Sequence, residues 1–348
     1  MIQSKTYIAV PPGETIREQL STKGMSQEIF AEKMEMQPSY INRLLNGTLP
    51  ITSDIASRLE CILGIPKIFW ERLEKIYVET IDKVNLEIDM QLIRKFPLME
   101  MQKQNWVRKG STKEENVKIL REYFDTCSLS QMLNDRSLPI ACRCLKKTEK
   151  TIPAVFAWAQ KARIEARKVK VEKIDMQQLK DEIVHLRKLS LKKPNEFCPI
   201  LSDTLAHCGI AIVFLSHLSG LYLHALSFYD EKKIVICLST RGKDADKFWF
   251  SLFHEIGHIL NGDLNKNGEI TEEDEQKADD FARNTLIPDR EFAEFCKQKS
   301  FTVDSIKTFA EKISVQPGIV VGRLQKDGYI LFQKFNKIKE KYKIVNEE

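Results

Sequence analysis

Residues 253–260 read FHEIGHIL. On a helix, side chains four residues apart lie on one face, so His254 and His258 present two imidazoles to one divalent cation. Glu255 lies one step round, beside the position that such a site leaves open for water, where a carboxylate acts as general base. Two histidines do not complete a catalytic zinc site; a third protein ligand is needed. In one solution the pentad continues HExxHxxGxxH, but Asn261 stands where the glycine belongs and Leu264 where the third histidine belongs, so that branch is excluded. The other common solution is a glutamate on a following helix, and ITEEDEQKADDFARNTLIP at 270–288 supplies acids.

In that stretch Thr271 is an N-cap, and Ala278, Phe281, Ala282, Thr285 and Leu286 form the stripe that turns inward. Glu272, Glu273 and Asp274 fall in the first turn, where negative charge also serves the helix dipole. Glu275 differs because it precedes Asp279 by four residues, so both carboxylates share a face. The spacing puts Glu275 forward as third metal ligand and Asp279 as the acceptor for the free N–H of a ligating histidine. The competing reading is an acidic run that is only a solvated cap. Gly257, Ala278 and Ala282 let the two helices approach closely. For polarising a substrate carbonyl the candidates are His224, Tyr222 and Tyr229, among which the sequence does not choose.

The elements that must carry these residues change character along the chain. Past Gly209, GIAIVFL, LYLHALSFY and KKIVICLS are rich in branched and aromatic residues and predict strands, with Asp230-Glu231 turning the last two into a hairpin. The HEIGH helix, the helix over 272–286 and a helical tail with a lysine-rich end follow, giving a small α+β domain. The run IVICLSTRGKDADKFWFSLFHEIGHIL, followed by EQKADDFARNTLIP, resembles the ImmA/IrrE family of metallopeptidases over about 155 to 325. The resemblance implies a gluzincin-like site with His254, His258 and Glu275 as zinc ligands, Glu255 as base and Asp279 behind a ligand. It also implies a selective endopeptidase acting on a repressor or antitoxin.

Upstream, SQEIFAEKMEMQPSYINRLLNG at 26–47 has the proportions of a helix-turn-helix, whose second helix enters the major groove by its N-terminal residues. Gln37, Ser39 and Tyr40 are offered to base edges, Asn42 and Arg43 lie farther along, and Gln27 reaches phosphate or base. Ala31, Ile41 and Leu44 pack inside. Glu35 holds the turn position usual for glycine, where a positive φ costs roughly 1 kcal/mol. Residues 11–77 break into about five short helices and resemble the XRE/HigA-type antitoxins, which implies a five-helix repressor fold that dimerises on palindromic operator DNA. AEKMEMQP at 31–38 reappears as AEKISVQP at 310–317, but Gly318 and Ile319 stand where bases would be read, so the second copy is expected to be a packing unit.

The expected organisation is multi-domain: an all-α helix-turn-helix domain at 1–77, a helical connector at 78–154, the α+β metallopeptidase domain at 155–330 and a basic tail at 331–348. Nine Lys and Arg balance nine Asp and Glu in residues 1–77, so DNA affinity must come from placement of charge rather than from net charge. Eight scattered cysteines do not form a disulfide framework, and the CxC at Cys142 and Cys144 lacks the second pair of a zinc ribbon. No run of eighteen apolar residues and no signal-like N-terminus are present, so we expect a cytoplasmic protein with no membrane partner. Two functions fit. One is a DNA-binding regulator, expected as a homodimer on operator DNA, whose zinc domain cleaves a repressor, an antitoxin or toxin-system protein, or itself. The other is a HigA-like antitoxin or repressor whose metal group is structural or ligand-sensing and cuts nothing.

Overall fold

The computed structural model describes residues 2–134, 151–221, 223–239, 244–266, 270–298 and 300–343. Cys142, Cys144 and Tyr222 lie outside them. The chain forms two compact units, Met1–Arg94 with Lys109–Met132, and Lys95–Arg108 with Leu133–Glu348.

In the first unit a short antiparallel pair, β1 (Ile2–Gln3) and β2 (Ile8–Ala9), precedes α1 (Pro12–Thr22), α2 (Gln27–Lys33), α3 (Pro38–Leu45), α4 (Ser53–Leu63) and α5 (Lys67–Leu92). Ser26 and Thr52 cap α2 and α4 with their side chains, and prolines open α1 and α3, where a missing N–H does no harm. One face of each helix closes on Ile16, Phe30, Met34, Ile41, Leu59 and Trp70. The expectation of five short helices holds for four. The fifth, α5, runs on to Leu92 because its far end has its own partners: fully buried Asp89 accepts from Arg121 Nε at 2.8 Å and from the backbone N–H of Leu129 at 3.0 Å. These partners belong to α7 (Lys113–Tyr123) and α8 (Leu129–Asn134). Between α5 and α7 the chain makes α6 (Leu98–Lys103), which clusters with the second unit.

The second unit continues with α9 (Thr151–Arg167), α10 (Met176–Lys188) and α11 (Pro194–His207), then β3 (Ile210–Leu215), β4 (Ala225–Asp230) and β5 (Lys233–Ser239). The strand order is β3-β5-β4, with β3 parallel and β4 antiparallel to β5. The β4–β5 turn puts Glu231 at φ 54°. Both faces of the sheet are covered: Phe228 faces the Arg163 guanidinium of α9, while its neighbour Ser227 reaches the long helix that comes after β5. That helix, α12 (Ala245–Leu260), is the axis of the unit. It buries Trp249, Leu252, Phe253 and Ile256 completely, each of which removes roughly 1.5–3 kcal/mol worth of apolar surface from water. Packed against it are α13 (Glu272–Leu286) and α16 (Pro317–Lys326), with α14 (Asp289–Cys296) between them in sequence and α15 (Val303–Lys312) against α16.

The repeated motif near the end of the chain folds as its first copy does. Ser314 has φ 56° where Glu35 has φ 52°, and Gln316 precedes Pro317 as Gln37 precedes Pro38. Its outer face is not offered to DNA, because Gly318, Ile319 and Val320 are buried against the unit's own core. A Cβ on Gly318 would meet the Lys339 backbone at 3.0 Å.

Candidate metal centre and nucleic-acid interface

α12 and α13 bring His254, His258 and Glu275 together. One donor atom from each lies within 4.8 Å of the others, and among the described residues these three form a group able to hold a metal ion. The two Nε2 atoms are 3.1 Å apart; Glu275 Oε2 is 3.4 Å from that of His254 and Oε1 is 3.7 Å from that of His258. The close approach of the helices rests on Gly257, where a Cβ would meet Ala278 Cα at 3.1 Å and Phe281 Cδ1 at 3.2 Å. Thr271 starts α13 with a reciprocal capping box to Asp274, which fixes the register that puts Glu275 on the inner face.

Each imidazole is oriented through its other nitrogen. His254 Nδ1 is 2.8 Å from Asp279 Oδ1, as the spacing predicts, and His258 Nδ1 is 2.9 Å from Asp263 Oδ2. With Nδ1 donating to a carboxylate, both Nε2 lone pairs are left for a cation. Asp263 was not foreseen. It lies past His258 across the Asn261-Gly262 turn, where Gly262 has φ 75°, and Lys266 joins it to Asp274 at 2.8 and 2.5 Å.

Charge in this cluster is set by burial against hydrogen bonding. Burial opposes the charged imidazole of His254, but its bonds to Asp279 and Glu275 outweigh this and push its pKa up to about 10. For His258 burial is again the largest influence, and Glu275 and Asp263 still raise the pKa. Burial resists ionisation of Glu275, yet hydrogen bonds from the two histidines bring it down to about 2. The three form an ionised set in which a divalent cation can replace the shared protons.

Glu255 is 7% exposed and accepts a 2.5 Å hydrogen bond from Ser227 Oγ on β4. Ser227 is 28 residues away in sequence, and no local pattern points to it. Tyr229 is on the same face of β4, and its hydroxyl accepts from Asn265 Nδ2 at 3.3 Å. His224 lines a cavity that also touches Asp279. Phe250 stacks on His254 with ring centroids 6.2 Å apart.

In the first unit Gln27, Gln37, Ser39, Tyr40, Asn42 and Arg43 are all exposed, while Ala31, Ile41 and Leu44 are buried. Arg43 lies over the Tyr40 ring at 5.8 Å. Asn42 is engaged by Asn46, which is engaged in turn by Arg17. At the turn Glu35 adopts φ 52°, and Arg58 stabilises it by donating to Met34 O at 2.8 Å and pairing with the Glu35 carboxylate at 3.5 Å.

Two family models match: the IrrE N-terminal-like domain of peptidase M78 over residues 207–325, and a helix-turn-helix over 16–70. Over 66 residues the chain is 33% identical to an uncharacterized HTH-type transcriptional regulator, YddM, of Escherichia coli (strain K12), a span covering 19% of this chain and 70% of that protein. The chain belongs to the helix-turn-helix family and carries an IrrE-like domain. The helix-turn-helix match takes in α2 and α3, and the IrrE-like match takes in β3 to α16 with the metal group inside it. No helix among the described residues is long and apolar enough to cross a membrane.

Proposed function

We propose that this chain is a DNA-binding regulator whose IrrE-like domain hydrolyses a peptide bond in a regulatory protein, with zinc held by His254, His258 and Glu275. The observation that carries the reading is the convergence of two Nε2 atoms and one carboxylate while each Nδ1 faces its own acid. The donor set fits zinc: two neutral imidazoles and one carboxylate are a known catalytic complement, and the acids behind them fix the tautomers. Zinc in this place supplies Lewis acidity toward water and toward the scissile carbonyl. Glu255 takes the proton of the attacking water and returns it to the leaving amine, with Ser227 holding its carboxylate in position. His224 and Tyr229 are the described candidates for contact with the carbonyl oxygen.

The second reading, a HigA-like antitoxin or repressor with a structural or ligand-sensing metal, shares the ligand set but has no use for Glu255. A carboxylate taken nine-tenths out of water beside two ligands costs stability, and general-base duty accounts for that cost. We assign the substrate to the class of repressors, antitoxins and toxin-system proteins, or to the chain itself, in the cytoplasm. Operator DNA is bound by a homodimer through Gln27, Gln37, Ser39, Tyr40, Asn42 and Arg43.

Co-expression with the products of neighbouring genes, followed by intact-mass analysis, tests the enzymatic half. Wild type generates new fragments. Glu255→Gln keeps its fold and zinc and loses roughly 10²–10⁴-fold in rate, whereas His254→Ala loses zinc as well. Fragments persisting undiminished with Glu255→Gln reject the mechanism. In gel shifts Gln37→Ala and Arg43→Ala each weaken operator binding about tenfold; no change in either rejects the assigned register.

A further inference from the structure

The IrrE-like match ends at residue 325, and the chain beyond it forms a fastened strap. Residues 331–343, LFQKFNKIKEKYK, hold five lysines against one glutamate and two strongly exposed apolar side chains, Leu331 at 68% and Phe332 at 66%. The buried amide of Gln325 donates to Phe332 O, Lys334 O and Asn336 Oδ1 at 2.9–3.0 Å. Farther along, Lys339 Nζ binds Asp246 Oδ2 at 2.8 Å with both side chains almost fully buried, and Ala245 N donates to Glu340 O at 2.9 Å. Trp249 Nε1 donates to Tyr342 Oη at 3.1 Å. The strap is thereby pinned to α16 and to the first turns of the metal helix α12.

Strap, α12, α13 and α16 line an open cleft of about 720 Å³, room for a few residues of an extended chain. Its wall includes Asp279, on the Nδ1 side of His254 away from its Nε2 partners, and Phe250, which stacks on that ring, together with Phe332, Lys326 and Lys341. The four aspartates that line it are committed: Asp244 to Lys247, Asp246 to Lys339, Asp327 to Arg323 and Asp279 to His254. None of those partners is Lys326 or Lys341, which are exposed, so the wall carries surplus positive charge beside apolar surface from Phe332 and Phe250. Such a wall suits an acidic side chain with an apolar neighbour. A nucleic-acid backbone would match the lysines but leave the apolar wall without a partner.

We infer that this cleft, whose wall reaches Asp279 behind His254 but none of the metal donors, receives a segment of the substrate chain away from the scissile bond, and that Lys326, Lys341 and Phe332 select a segment in which an acidic residue adjoins an apolar one. The inference rests on the peptidase reading for its name but not for its test, which reads binding. Full-length zinc-loaded Glu255→Gln protein is equilibrated with short peptides randomised at every position, and the retained peptides are sequenced. Retained sequences are enriched in Asp or Glu next to Leu, Ile or Phe. Lys326→Glu with Lys341→Glu reverses the charge preference, and Phe332→Ala keeps it while losing the apolar neighbour and about tenfold in affinity. Unchanged zinc content and melting temperature show that the variants are folded. Absence of enrichment, a preference unmoved by charge reversal, or retention of an oligonucleotide with peptides rejected each overturns the inference. Wild-type cleavage of the same pool without acidic preference overturns the inference and leaves the peptidase reading standing. Acidic-peptide retention without cleavage does the reverse.

Discussion

His254 sits between two carboxylates, so its protonation and the site's affinity for metal are one problem. Before metal binds, Asp279 and Glu275 hold the imidazole charged up to about pH 10, against the pull of burial. Its contribution to stability is complete below the ordinary 6.5 and is lost as pH rises through about 10. Glu275 behaves oppositely, contributing fully above its ordinary 4.5 and losing that as pH falls toward about 2. In metal-free protein, Asp279→Asn should therefore lower the melting temperature most near pH 6 and hardly at all above pH 10. Because a ligating histidine must give up that proton, zinc binding at pH 7 should release about one proton or more per ion. Calorimetry in buffers of different ionisation enthalpy reads this directly, and a buffer-independent heat contradicts it. Asp263→Asn should weaken zinc binding roughly 10- to 100-fold through His258. Ser227→Ala should leave zinc content unchanged and lower kcat roughly tenfold through Glu255.

Two helical pairs set the geometry that those residues need. In the first, Gly257 lets α13 lie close enough for Glu275 to reach both histidines. Gly257→Leu should cost about 1–3 kcal/mol by overpacking and also lower zinc affinity, measurable as a melting shift with loss of bound metal. In the second, Glu35 holds φ 52° between α2 and α3, so Glu35→Gly should stabilise the first unit by up to about 1 kcal/mol. Both pairs were legible in the sequence. His254, His258, Glu275 and Asp279 recur at helical spacing, and Thr271 marks the start of α13, so local pattern carried the register. Asp263 was hidden beyond a turn whose direction depends on Gly262, and Ser227 was hidden because contact between β4 and α12 is a tertiary event with no sequence period. The length of α5 escaped for the same reason, since Asp89 is satisfied by residues more than thirty positions downstream.

At the scale of the molecule, the His254, His258 and Glu275 group and the helix-turn-helix belong to different compact units, each with its own core. Zinc held as proposed would stabilise only the unit that binds it, through the folded-state term RT ln(1 + [Zn]/Kd). Chelation should therefore lower one unfolding transition and leave the other, belonging to residues that include α1–α5, where it was. A single transition that shifts as a whole would show that the two units melt together. The repeated AEK-x-x-x-QP motif shows how the same local signal serves both units. It gives the same turn twice, with Gly318 and Ile319 buried in the second copy where Ser39 and Tyr40 are exposed in the first.

The central claim is that His254, His258 and Glu275 hold one zinc ion. Crystals of the zinc-loaded protein measured on both sides of the zinc absorption edge test it most directly. The account predicts one anomalous peak per chain, about 2.0–2.2 Å from His254 Nε2, His258 Nε2 and a Glu275 oxygen. A peak elsewhere, or one unaltered in Glu275→Ala crystals, contradicts it.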